Sequence, residues 1–437
     1  MNTDTQTPCL TLRTSRSSAS PTRAGSTPPE AASTRLEFLD ATRAFALALG
    51  VLFHASLSFV PVFIGWAVQD ISTSSGVLAF MSVSHSFRME LFFLIAGFVA
   101  RSSLKRHGAW RFLGARVLRL GVPFALGWFV LNPLLISGWL MGHASLRGRV
   151  DVWAALQGGF ASLAALPEGL WTRSHLWFLY YLLMITVGAV LLRTLLQPLG
   201  AAKDRILGKV DAFTTWLAGS RVSIPTLALP TMGVLWFMDL WGVDTPDKSL
   251  RPHLPVLLLY GGCYAVGWCF ARQPEWLGPM AQITPGRCFL ASVAVVGVLA
   301  LGGMEREPSH PWFNLARVTC LGCYSVMLWS LVWLVLGVFQ KLCVGSSAVV
   351  RYLADASYWI YLIHLPIVIW LQVAVADAPY HWSLKLPFVT AVSLGVGWLT
   401  YDAFVRSTWL GWLLNGKRQA RTLGRLKHHC APAGRGT

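Results

Sequence analysis

Charge is scarce in this chain. Asp, Glu, Lys and Arg make up 13% of its 437 residues, against 54% hydrophobic residues. That balance excludes an ordinary soluble domain and points to helices in lipid. Acidic residues are scarcer still, with 19 against 36 basic and a formal net charge of +17. A basic excess can serve nucleic acid, but here the basic residues gather in short loops between apolar runs and in the tail. In membrane proteins such clusters mark the cytoplasmic side. Cysteine supplies no framework. Most of Cys9, Cys263, Cys269, Cys288, Cys320, Cys323, Cys343 and Cys430 sit inside apolar runs. Cys320 and Cys323 have CxxC spacing without a second Cys or His pair, so they read as packing residues and not a metal or redox site. GxSxG, HExxH, Walker A and GxGxxG are absent, which leaves no support for a metal site or a nucleotide fold. There is no internal repeat, which weakens a transporter built from inverted halves.

What is present is a succession of apolar runs. They predict an all-α, polytopic membrane protein of about ten spans, near 41–64, 77–100, 118–141, 175–196, 223–241, 253–271, 287–303, 315–339, 353–374 and 386–405. Residues 1–34, rich in Ser, Thr and Pro, read as a disordered cytoplasmic tail. Residues 35–415 form the membrane domain, and 416–437 a basic cytoplasmic tail. The stretch 142–174 is the longest outer connection. Leu166-Pro167-Glu168-Gly169 reads as a turn within it, and the segments around Trp153 and Trp171 suit the interface. One set of loops carries Arg101, Lys105, Arg106, Arg111 and Arg116, then Lys203, Arg205, Lys209 and Arg221, then Arg272, then Lys341 and Arg351. The alternate set is poorer: the 65–76 loop has no Lys or Arg, and the 303–314 and 375–385 loops have one each, Arg306 and Lys385. An even number of spans with both termini cytoplasmic satisfies this asymmetry.

Ionisable residues inside the spans cost about 2.5–3.5 kcal/mol each on insertion scales, so they mark function or compensated structure. In the first span, Arg43 and His54 are eleven residues apart and fall within about 20° of one helix face. Asp40 and Ser58 share that stripe. In the second span, His85 and Arg88 lie one turn apart on one face, and Glu90 points roughly opposite. Glu90 reads as part of an Arg–Glu pairing network. Arg116 and Arg119 share a face at the inner edge of the third span. They either snorkel as topogenic charges or cradle a phosphorylated donor, for which the arginine fork is suited. His175, at the outer start of the fourth span, reads as an interfacial anchor. In the ninth span Ser357, Tyr361 and His364 fall within about 60° of one another, and Pro366 should kink the helix by denying Leu362 its donor. Either a polar pocket around His364 or a simple kink follows.

The segments LEFLDATRAFALALGVLFHASLSF, MELFFLIAGFVARSSL, ARVLRLGVPF, SHLWFLYYLL and SYWIYLIHLPIV, in this order, resemble membrane acyltransferase family 3, the ten-span O-acyltransferases of bacterial envelopes. Arg43 and His54 look like its first-helix Arg-x10-His motif, and Arg116-Val-Leu-Arg119 like its RxxR motif. Ala96-Gly97-Phe98 stands where Ser-Gly-Phe or Ser-Gly-Tyr is usual. The pattern His-x4-Asp of soluble acyltransferases is absent. HSFRMELFF and YDAFVRSTWLGWLLNGKR look similar to the branch that succinylates periplasmic glucans. The resemblance implies a multi-pass protein of the bacterial inner membrane, with no permanently bound cofactor and no metal. It implies transfer of an acyl group, succinyl or acetyl, from succinyl-CoA or acetyl-CoA to a hydroxyl of a periplasmic glucan or another envelope carbohydrate. His54 would be the general base, with Asp40 or Arg43 setting its orientation. Arg116 and Arg119 would bind the donor. Arg88, His85, Tyr361 and His364 would line the substrate site, and Arg88 would pair a succinyl carboxylate. The expected partners are the donor, the carbohydrate and membrane lipid, not nucleic acid. The competing reading of the stripe is a proton-coupled transporter or flippase.

Overall fold

The structure, a computed structural model, describes residues 30–145, 148–164, 175–246, 250–343, 345 and 347–422. The greater part of the expected N-terminal tail, the turn at 166–169, Trp171 and residues 423–437 lie outside the described residues. Every regular element among the described residues is helical.

Helix α1 (Glu30–Ser56) already includes residues 30–34 of the expected tail. After an outer loop, α2 (Ser75–His107) starts on Ser74, whose hydroxyl accepts from Gly76 N. Helix α3 (Ala109–Arg116) runs through a π-turn (Val117–Gly121) into α4 (Val122–Ser145). A short outer α5 (Val152–Ala161) precedes α6 (Trp177–Leu196). Helix α7 (Ala201–Gly219) carries the second basic cluster, and α8 (Ser223–Leu235) follows. Then come α9 (Leu254–Phe270), the one-turn α10 (Leu277–Met280), α11 (Pro285–Leu301), α12 (Phe313–Leu342), α13 (Ala348–Val375), α14 (Trp382–Thr400) and α15 (Trp409–Asn415).

Among the described residues, eight helices are long and apolar enough to cross a membrane. The two remaining expected spans take other forms. Helix α9 bends by 109° into the helical turns that end in α10, a broken span or re-entrant element. Helix α8 has 13 residues, about 20 Å at 1.5 Å per residue, short of a hydrocarbon core of about 30 Å. The broken element is anchored at its inner end. Arg272 Nη2 donates to Asp211 Oδ2 of α7 at 2.6 Å, and this hydrogen bond pulls the Asp211 carboxyl below the usual carboxylate range.

Helix α1 packs against α2, α12, α13 and α14, so the helix carrying Arg43 and His54 is central. The closest backbone approach joins α2 and α9. A Cβ on Gly97 would lie 2.0 Å from Tyr264 O, and one on Gly267 would lie 1.9 Å from Leu94 O. Small residues at such crossings let helices in lipid approach until their backbones touch. The glycine of Ala96-Gly97-Phe98 is therefore a packing requirement. Cys320 is buried and Cys323 faces Gly297 of α11; both thiols are free.

Candidate active site

The basic loops define an inner end of the bundle, and the imidazoles gather toward the outer end. His54 lies in the last turn of α1. Its ring centroid is 5.3 Å from that of His364 on α13 and 5.8 Å from that of Trp66 in the outer loop. His364 is in turn 5.3 Å from His175, just before α6. His85 of α2 stacks on Phe53 at 5.5 Å.

Backbone carbonyls fix three of these rings. A carbonyl can only accept, so the ring nitrogen facing it carries the proton and the other holds the lone pair in the neutral ring. His85 Nε2 faces Val243 O at 3.1 Å, His175 Nε2 faces Leu362 O at 2.9 Å, and His364 Nδ1 faces Tyr361 O at 2.8 Å. The second of these follows from sequence. Pro366 has no N–H, so it leaves the Leu362 carbonyl without its helical donor. His175 supplies that donor from across the bundle. Helix α13 continues through Pro366, and the buried His175 is part of the imidazole group, not the interfacial anchor expected. Tyr361 OH donates to His175 O at 2.7 Å, which closes the link.

His54 differs from the other three. Its Nδ1 has no hydrogen-bond partner, and its ring is held by aromatic contacts. Its backbone is held by Gln372, whose Nε2 donates to His54 O at 2.9 Å and Ala55 O at 3.0 Å. The last carbonyls of a helix lack intrahelical donors, and Gln372 caps two of those of α1. The Gln372 Oε1 accepts from Trp66 Nε1 at 2.9 Å.

Asp40 and Arg43 are elsewhere. Eleven residues at 1.5 Å each place Arg43 about 16 Å inward of His54. Arg43 pairs with Asp40 at 3.3 Å and donates to Ala354 O at 3.2 Å. Neither orients His54 directly. The stripe matched in angle but not in depth. Ser58 falls in the 3₁₀ turn after α1 and is buried.

Arg88 and Glu90 are both buried, at 5% and 1% exposed, and do not form the expected pair. Side chains two apart on a helix diverge by about 160°. The Arg88 guanidinium lies 4.2 Å from the Phe53 ring centroid, with Nη1 unpartnered, and both Glu90 oxygens lack a hydrogen-bonding partner.

At the inner end, Arg116 lies over Phe112 at 5.2 Å and has Arg119 and Arg43 as like-charged neighbours. The regular helical period on which the shared face was expected is interrupted between Arg116 and Arg119. The π-turn from Val117 to Gly121 widens the helix there, so the two arginines are not related by that period. The Arg119 guanidinium packs on Gly416, at the C-terminus of α15, and the Arg119 carbonyl accepts from Tyr358 OH. From Tyr358 a row of rings runs outward: Tyr358 to Tyr361 at 6.4 Å, Tyr361 to His364 at 6.3 Å, then His54.

The outer loop is clamped by a pair that loop charge alone did not reveal. Lys385 Nζ donates to Asp70 Oδ1 at 2.8 Å, to Asp70 Oδ2 at 3.0 Å and to Ala376 O at 3.2 Å, and both side chains are buried. Burial pushes the Asp70 carboxyl up, and the Lys385 ammonium opposes that shift. Farther along the outer side, Asp239, Asp244 and His253 bring one potential metal-ligand atom each within 4.8 Å of one another. The Asp244 oxygens already accept from Asp239 N and Leu240 N, which makes this residue a loop cap.

A family profile described as an acyltransferase domain, acyltransferase 3, matches residues 36–402. Glucans biosynthesis protein C of Salmonella schwarzengrund is 24% identical over 383 residues, covering 87% of this chain and 94% of the relative. The protein of the same name from Salmonella paratyphi B is 24% identical over 390 residues, with the same coverage. No solved structure matches. A multi-pass helical bundle with this profile across its length belongs to the acyltransferase 3 family.

Proposed function

We propose that the protein is an O-acyltransferase of the bacterial inner membrane. It takes an acyl group from a cytoplasmic acyl-CoA and esterifies a hydroxyl of a periplasmic glucan or related envelope carbohydrate. The observation that carries this reading is the row of rings from Arg119 at the inner end, through Tyr358, Tyr361 and His364, to His54 at the outer end. A transferase working across a membrane needs a charged inner mouth, an outer base and a path between them. Arg116, Arg119 and Arg43 suit the phosphates of the donor. The ring row suits its extended arm. His54 takes the proton from the acceptor hydroxyl as oxygen attacks the thioester carbonyl; the carbon–sulfur bond breaks and the thiol leaves protonated. His364, whose ring lies 5.3 Å from that of His54 and whose Nδ1 is held by Tyr361 O, leaving Nε2 with the lone pair, would pass that proton on. The glucan assignment leans on the relatives' name, glucans biosynthesis protein C.

Thiol release from acyl-CoA by detergent-purified protein, dependent on added glucan, tests the reading; a transporter releases none. Arg119→Ala should weaken donor binding more than acceptor binding. Arg119→Lys should rescue only in part, because the ammonium lacks the fork. Unchanged donor affinity in both would leave Arg119 as a topogenic and packing residue.

Succinyl is the acyl group this site favours. Arg88 is buried beside Phe53 with Nη1 unpartnered, and a donor carboxylate would compensate its charge. Arg88→Gln should weaken use of succinyl-CoA selectively. Glucans from cells carrying the wild-type gene should gain negative charge on anion exchange. Acetyl esters with an unchanged charge profile would overturn the succinyl assignment.

A further inference from the structure

Trp66, in the outer loop, packs on the His54 ring. Its indole lies nearly parallel to the imidazole, at 22° and 5.8 Å, and packs its edge on Trp139 at 5.7 Å. The loop on its C-terminal side is fixed. Ala67 O sits so close to Gly142 that a Cβ there would lie 2.1 Å away, and Asp70 is locked to Lys385 and to Ser58 O. The loop on its N-terminal side is open. Phe63, Ile64 and Gly65 are exposed, and Gly65 has φ +76°, with open space for 4 Å around the point where a Cβ would sit. The single polar tether of the indole among the described residues is Gln372, which also caps the helix end carrying His54.

Resting on the acyltransferase reading, we propose that Trp66 is a positioning residue that closes the acceptor side of the His54 pocket. The indole holds the imidazole against His364 and keeps water from the acyl carbon. An acceptor sugar enters by displacing the indole about Gly65, its ring C–H face packing on the indole π-face that it uncovers. Breaking the Gln372–Trp66 bond leaves the two carbonyl bonds of Gln372 on α1 intact, so the indole can leave while the helix end carrying His54 stays capped. Without the cover, water replaces the acceptor: its oxygen joins the acyl carbon, the carbon–sulfur bond breaks, and the products are the free acid and the thiol.

The test compares wild type, Trp66→Phe, Trp66→Ala and Gln372→Leu as full-length protein in nanodiscs, each checked for monodispersity. The first arm treats each with diethyl pyrocarbonate and follows modification of the His54 peptide by mass spectrometry, with exposed His107 as the internal reference. Trp66→Ala should modify several-fold faster than wild type, and Gln372→Leu and Trp66→Phe, which both lose the tether, should fall between them. The second arm measures thiol released per ester formed. Wild type should release one thiol per ester; Trp66→Ala should release excess thiol with or without glucan. Equal His54 modification in wild type and Trp66→Ala overturns the proposal. So does an unchanged thiol-to-ester ratio. The first arm needs no acyl transfer, so absent thiol release in wild type would defeat the enzymatic reading while the modification rates still decide whether Trp66 covers His54.

Discussion

His54→Ala should reduce acyl transfer by about 10²–10⁴-fold, the usual worth of a general base, while the protein inserts and folds at wild-type level. Few structural bonds are lost with the side chain. The Nδ1 atom has no hydrogen-bond partner, and the Gln372 contacts are to backbone oxygens that alanine keeps. His364→Ala has a different expected signature. It removes a ring tied to Tyr361 O and packed on both His54 and His175, so loss of activity should come with lower thermal stability. Ester formation on glucan, at matched protein level, separates the two. Near-normal transfer in His54→Ala, with loss in His364→Ala, would move the base to His364.

The second large effect is structural. Gly97→Val should prevent α2 and α9 from docking. The added Cβ would fall 2.0 Å from a backbone oxygen, which cannot swing aside as a side chain can. Overpacking ordinarily costs about 1–3 kcal/mol, and a clash with main chain belongs at or above the top of that range. The comparison is Gly261→Ala, on α9 itself. Its added Cβ meets nothing within 4 Å, and alanine is favoured over glycine in a helix interior by about 1 kcal/mol. Fluorescence-detected size exclusion over a temperature series should show Gly97→Val aggregated or weakly expressed, and Gly261→Ala at least as stable as wild type. A monodisperse Gly97→Val of normal melting temperature would mean that the two helices do not approach as described.

The helical class was legible from apolar run length, because lipid leaves few alternatives for the backbone. So was the polar stripe of the first span, since ionisable residues there stand out against Ala, Leu and Val. Periodicity, however, reports angle and says nothing of depth. Asp40 and Arg43 share the His54 stripe and lie three turns inward, where they pair with each other. At Arg116 and Arg119 a π-turn departs from the period assumed. His175 was undervalued because its partner, Leu362 O, lies far away in sequence. The clue was present in Pro366: a proline within a span orphans a carbonyl, and an orphaned carbonyl in lipid needs a donor. Gln372 carried a similar clue, as a lone amide on the Tyr361 stripe of an otherwise apolar outer half. Trp66 offered none, since a tryptophan in an outer loop reads first as an interfacial anchor.

The contact of Arg119 with Gly416 has a temporal consequence. The guanidinium rests against a glycine of positive φ at the end of α15, and the following residues are tied down in turn, Lys417 to Asp355 and Gln419 to Asp355 and Arg406 O. One wall of the inner mouth is thus made by α4 and the other by a segment nearly three hundred residues later in synthesis. At about 5–20 residues per second, α4 waits at least some fifteen seconds in the membrane before that wall emerges. A nascent chain holding the first spans and the whole His54 stripe still has an unfinished arginine cluster on its cytoplasmic side. Under the proposed function, donor binding should begin only after the segment around Gly416 has left the ribosome.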